Sequence, residues 1–210
     1  MKLVMQENQT LPIPEGQSGV FEVQQGTGIA RDFGLLLLRL TIGGLLSGHG
    51  SQKLFGWFNG PGLQGTAGWL ESLGMKPGSQ WAKGAASSEF GGGLLTSLGF
   101  LHPIGPLTML APMIMATVKA HWGKPIWVSA GGAELPVTNM AAATALVFTG
   151  PGRFSLDRLF GIRLPRMLVL GIAIVEAALV VVGLNTRPAP STSSPVAEEA
   201  RDTLTSGQDR

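Results

Sequence analysis

The chain has 210 residues, 44% of them hydrophobic and only 13% charged, with 31 Gly, 14 Pro, no Cys and a formal net charge of +2. Charge this sparse, against a usual ~25%, argues against an ordinary soluble domain, and the apolar content is too high for a disordered chain. Without cysteine there is no disulfide, thiolate zinc site, cysteine-held iron–sulfur cluster or cysteine nucleophile, and the weak, scattered positive charge points to no nucleic-acid partner. A membrane protein remains, and any redox chemistry in it needs another cofactor or another subunit.

Residues 1–32 hold Glu7, Glu15, Glu22 and Asp32 against Lys2 and Arg31, with no apolar run of the kind a secretory signal requires, and are expected to form a solvated tail. Five apolar segments follow, at about 33–53, 81–101, 104–121, 133–150 and 167–184. Each is near the ~20 residues that cross ~30 Å of hydrocarbon as a helix, the fourth and fifth being at the short end. The expected fold class is therefore all-α, a polytopic membrane helical bundle. From Asn185 onward, NTRPAPSTSSPVAEEARDTLTSGQDR is rich in Pro, Ser, Thr and charge, the composition of a disordered tail.

Orientation follows from the basic residues of short loops. The connection 151–166 carries Arg153, Arg158, Arg163 and Arg166 against one acid, Asp157, and is placed in the cytoplasm. Counting spans then puts the N-terminus inside and the C-terminal tail outside. The connections 54–80 and 122–132 share the outer face, and all five tryptophans (Trp57, Trp69, Trp81, Trp122, Trp127) fall in or beside them. An interfacial aromatic belt would populate both faces, so two readings stand for the first of these loops: interface anchoring, or a surface-lying cap with a helical turn near 66–73.

The ionisable residues of the spans converge on the same face. His49 and Lys53 lie at the outer end of the first span, Glu89 about two turns into the second, Lys119 and His121 at the outer end of the third, and Glu134 at the start of the fourth. Charges in hydrocarbon cost at least ~2.5–3.5 kcal/mol each, so they face a bundle interior and pair, or snorkel to the headgroups. His49 and Lys53 are i and i+4 on one stripe, and Glu89 adjoins Gly91, Gly92 and Gly93, where a neighbouring helix can approach closely. His49, Lys53 and Glu89 are therefore predicted to face one another. Gly44 with Gly48, and Gly84 with Ser88, form small-xxx-small pairs for helix packing.

Two further expectations concern the cytoplasmic half. In GPGRFSLDRLF, Ser155 is placed to cap a short helix after the Pro151, Gly152 turn, laying arginines on a surface where anionic lipids attract each by ~1 kcal/mol. Arg39 and Glu176 form a candidate second buried pair, because at ~1.5 Å per residue they sit ~9 and ~14 Å from the cytoplasmic face in spans one and five. The other readings of Glu176 are a protonated glutamate on a peripheral helix and a contact to a partner subunit.

These segments together resemble a family. GLLLLRLTIGGLLSGHGSQKLFGWF with Arg39, His49, Gly50 and Lys53, SEFGGGLLTSLGFL with Glu89 and Gly91 to Gly93, and TGPGRFSLDRLF with Gly152, Arg153, Ser155 and Asp157 are similar in order and content to the DoxX family of small membrane proteins, over about 33–160. The resemblance implies a four-helix membrane domain at 33–160, to which this chain adds a linker and fifth transmembrane helix at 161–184 and tails at 1–32 and 185–210. It also implies the plasma membrane of a bacterium, and a link to membrane oxidoreductases such as an archaeal thiosulfate:quinone oxidoreductase or a mycobacterial complex with superoxide dismutase and a sulfurtransferase.

No dinucleotide fingerprint, P-loop or serine elbow marks the chain as an enzyme on its own, and the Gly91 to Gly93 run lacks the Lys of a phosphate loop. His49 and His121 on different helices raise a bis-histidine haem, disfavoured by the adjacent Lys53 and Lys119. A quinone site fits better: it needs an apolar slot, donors for two carbonyls and a proton carrier, and His49, Lys53 and Glu89 supply these. The expected function is a membrane subunit of a quinone-linked or redox-related oxidoreductase complex, with lipids and either partner subunits or further copies of the chain as its contacts. The alternatives are a non-catalytic scaffold and a small-molecule permeation protein, although no inverted repeat is visible.

Overall fold

The computed structural model describes residues 28–186, so the expectations for 1–27 and 187–210 lie outside the described residues. Within them the chain is helical: α1 (Gly28–Phe55), α2 (Gly62–Ser72), α3 (Gly78–Leu98), α4 (Ile104–Thr108), α5 (Leu110–Met115), α6 (Glu134–Thr149), α7 (Leu156–Phe160) and α8 (Arg166–Asn185). Each expected apolar segment is a helix or a run of helices. α1 starts earlier than expected, at Gly28, and Asp32 belongs to its buried face. The reason is a tertiary partner, since Asp32 Oδ1 accepts a hydrogen bond from the Arg153 backbone N–H at 3.2 Å.

The third segment is interrupted. Pro112 has no N–H to bond the Thr108 carbonyl, so the ladder breaks between α4 and α5, and a π-helical turn over Ala116–Ala120 ends the run. α2 is the expected cap helix of the first long connection. Glu71 Oε1 accepts from the Gly78 N–H at 2.9 Å, tying the end of α2 to the start of α3.

α1 and α3 run antiparallel with their backbones in contact. A Cβ on Gly50 would lie 2.3 Å from the Phe90 nitrogen, and one on Gly93 would lie 2.5 Å from the Gly43 carbonyl oxygen. Ser47 Oγ crosses the same seam to donate to the Phe90 carbonyl at 3.2 Å. The seam is one residue away from the expected Gly44 and Gly48 pair: those two, and Gly84, face open space. Spacing shows that small residues recur but does not show which stripe meets the neighbour. Gly92 faces the other way, onto Thr108 and Gly105 of α4, so the triple glycine lets one helix touch two others.

Leu46, Met109, Met113 and Ala143 form one apolar cluster between α1, α5 and α6, and Leu70, Met75, Ala82 and Met115 form a second beneath α2. Polar groups are also inside. Asp32, Arg39, Ser47, Ser51, Thr66, Glu89, Thr96 and Asp157 are all buried, while large apolar side chains cover the outside, including Leu37 and Leu45 of α1, Phe148 of α6 and Met167 and Ile174 of α8. α8, with a mean hydropathy of 2.7 over its most apolar window, is the one described helix long and apolar enough by itself to cross a membrane; Ile104–Ala120 is a shorter apolar run.

α8 packs on α5 and α4, not on α1 as expected. Rise per residue fixes position along a helix but not direction around the bundle, and the inward stripe of α1 is already filled by α3.

Candidate functional site

A cavity of about 410 Å³ opens between α2, α3, α5 and α8. Its walls are largely apolar, with Trp69, Met75, Trp81, Met115 and Leu179 among them. Five ionisable groups line it: Lys53, Lys76, Glu89, Lys119 and Glu176. Lys53 Nζ donates to Glu89 Oε1 across the α1–α3 seam, from a side chain 26% exposed to one 2% exposed. Among the described residues, the second carboxylate oxygen of Glu89 and Oε2 of Glu176 are buried without a hydrogen-bond partner. Such atoms cost free energy unless a ligand, water or proton satisfies them, and two of them beside one cavity make it a candidate binding site.

Lys119 is held at the cavity rim by the end of α8, donating to the carbonyls of Leu184 (3.2 Å) and Thr186. A cation there satisfies carbonyls that the helix leaves unpaired and complements its dipole. Gly183 of α8 lies against Met115 and Trp81, which closes the adjacent wall.

The structure does not bring the remaining expected residues to this site. His49 is exposed on the outer face of α1, because Gly50 occupies the contact with α3 and turns its neighbour outward. His121 and Glu134 organise the connection between the π-helical turn and α6: His121 Nδ1 donates to the Gly131 carbonyl at 2.7 Å, and Glu134 Oε2 accepts from the Val128 N–H at 2.8 Å.

Arg39 is at a second locus, where it donates to the Phe154 carbonyl from a side chain that is almost wholly buried. The expected Arg39–Glu176 pair is not formed. The acid near Arg39 is Asp157, whose oxygens accept from the N–H groups of Leu101 (2.8 Å) and His102 (2.7 Å). The Asp157 N–H in turn donates to the Gly99 carbonyl at 3.0 Å. Gly99 is required there, since its φ of +61° suits glycine and a Cβ would fall 1.8 Å from Arg39 Nη1. Ser155 caps α7 as expected, accepting from the Arg158 N–H at 3.3 Å. Asp157 is thus a staple between α7 and the α3–α4 turn, a role invisible in the sequence because its partners are backbone groups 55 and 56 positions away. In that turn burial pushes the His102 imidazole below its ordinary pKa, opposed by the Val147 carbonyl and Asp157.

No curated protein and no solved structure matches the chain. The family model that does match spans 34–122, from α1 through the π-helical turn, and stops short of the GPGRFSLDRLF segment and α8. Over those residues, which carry Arg39, Lys53, Glu89 and Lys119, the chain is similar to the DoxX family, whose model matches there.

Proposed function

We propose that the chain is a polytopic membrane protein of the bacterial inner membrane, and that the cavity beside Lys53 and Glu89 takes a quinone on behalf of a membrane oxidoreductase complex. The bilayer reading is supported by the inversion of the usual surface: apolar side chains outside, buried polar groups inside, in a family that is membrane-associated. The arginine-rich end is assigned to the cytoplasm.

The observation that carries the quinone reading is the unpaired carboxylate oxygens of Glu89 and Glu176 at an apolar cavity that also holds the Lys53 ammonium. A quinone, when bound, supplies two-electron, two-proton redox chemistry. The protein's share is to seat the ring against Trp69, Trp81 and Met115, to offer Lys53 as a donor to a carbonyl, and to hold protons on Glu89 and Glu176. His49 drops out of this assignment and Glu176 enters it.

The test is purification in mild detergent followed by solvent extraction and chromatography of bound quinone. Retention by the parent chain, and its loss in folded Lys53→Met and Glu89→Gln variants, supports the reading. No retention, even after quinone is added, overturns it; a co-purifying partner without quinone then favours a scaffold, and uptake into liposomes favours permeation. Membrane orientation is read separately from thiol labelling of Arg158→Cys and Trp122→Cys, both exposed positions at opposite ends.

A further inference from the structure

At the end of the bundle opposite the Lys53–Glu89 pair, a second cavity of about 520 Å³ lies between the start of α1, the 151–153 turn and the residues around α7. Four arginines line it: Arg31, Arg153, Arg158 and Arg163. Two acids are there as well, Asp32 and Asp157, fewer than the arginines. Asp157 is buried with its oxygens on the Leu101 and His102 N–H groups, and Asp32 accepts from the backbone of Arg153 and lies 4.0 Å from its Nε. The lining therefore carries an excess of positive charge, and Arg31, Arg158 and Arg163 are exposed.

Its glycines leave room. Neither Gly28 nor Gly161 would bring a Cβ within 4 Å of another group, so a ligand can reach the backbone on two sides. The surroundings are apolar: Ile29 and Phe33 on α1 and Phe154, Leu159 and Phe160 around α7 are all about half exposed or more. A cationic pocket rimmed by outward-pointing aromatic and aliphatic side chains has the two halves of an anionic lipid as its complement, a phosphate for the arginines and acyl chains for the rim.

We infer that this pocket binds the phosphate headgroup of an anionic membrane lipid. Planar guanidinium groups suit it, because each offers paired N–H donors to two phosphate oxygens, and several converging on one site can engage a headgroup without competing for the same oxygen. Asp32 and Asp157 then act as positioning residues, fixing the 151–153 turn and α7 so that the arginines converge. The inference goes beyond the quinone site and rests on the bilayer placement of the helices.

The full chain, delipidated in detergent and reconstituted in nanodiscs of phosphatidylcholine with a minor fraction of fluorescent phosphatidylglycerol, is expected to retain the anionic lipid on return to detergent. Arg158→Gln with Arg163→Gln should weaken retention by about fivefold for each arginine removed, while Arg166→Gln, outside the pocket, should leave it unchanged. Equal retention by the double variant overturns the site, as does complete displacement by millimolar inorganic phosphate, which would mark it as a site for a free anion. Both variants are first shown to insert and to unfold thermally like the parent, so failure of the bilayer reading is seen separately as failure to integrate.

Discussion

Lys53 on α1 and Glu89 on α3 form an ion pair across the seam where those helices touch, with Glu89 almost completely buried and one of its oxygens left without a partner. Breaking such a pair by removing one member leaves the other charge buried alone, at roughly 3–5 kcal/mol for a full burial and less where one side chain is partly exposed, as Lys53 is. Lys53→Met and Glu89→Gln are each expected to lower the midpoint of thermal unfolding in detergent, and the double variant to lose less than the sum. Strict additivity would show that the pair is not coupled.

The α1–α3 seam separates two classes of glycine. Gly50→Ala and Gly93→Ala must push a methyl group into the backbone of the facing helix, an overpacking expected to cost about 1–3 kcal/mol or more. Gly44→Ala and Gly48→Ala meet open space and should be neutral or stabilising by up to ~1 kcal/mol through helix propensity. Unfolding of the four variants in parallel checks the register directly, since a seam shifted by one residue would exchange the two outcomes.

Asp157 holds Leu101 at a φ of +54°, unusual for a side-chain-bearing residue, by accepting from its N–H and from that of His102. Asp157→Ala leaves both donors unsatisfied and removes the acid near Arg39, a loss on the order of 3 kcal/mol. Ser155→Ala, which removes only the cap of α7, should cost about 1 kcal/mol. Proteolytic susceptibility of the α3–α4 turn is the readout, expected to rise far more for Asp157→Ala than for Ser155→Ala.

His102 introduces a pH dependence with a definite sign. Burial lowers its pKa in the fold below the ordinary 6.5. The folded state thus binds the proton more weakly than the unfolded chain, and stability present above pH ~6.5 is lost as the pH falls through the folded value. His102→Gln is expected to flatten the acid side of a stability–pH profile and leave the neutral side in place. An unchanged acid limb would assign the loss to the carboxylates.

The residues themselves determined the helical class, the approximate position of every described helix, the cap helix of the first connection and the depth at which Lys53 and Glu89 meet. All of these follow from apolar run length, from the loops between runs and from rise per residue. Which way each stripe faces was decided only by packing. His49 and Gly50 are adjacent in the chain, yet one faces outward and the other touches Phe90, because a glycine is where two backbones can meet. Arg39 and Glu176 are expected at similar depth from rise per residue but belong to different loci, because α8 settles against α4 and α5, with Glu176 at the Lys53–Glu89 cavity, while Arg39 is drawn to Phe154 and Asp157. Depth is a one-dimensional quantity that a chain read in order provides. Direction around a bundle depends on which neighbouring surfaces are complementary, and that is known only once all the helices are in place.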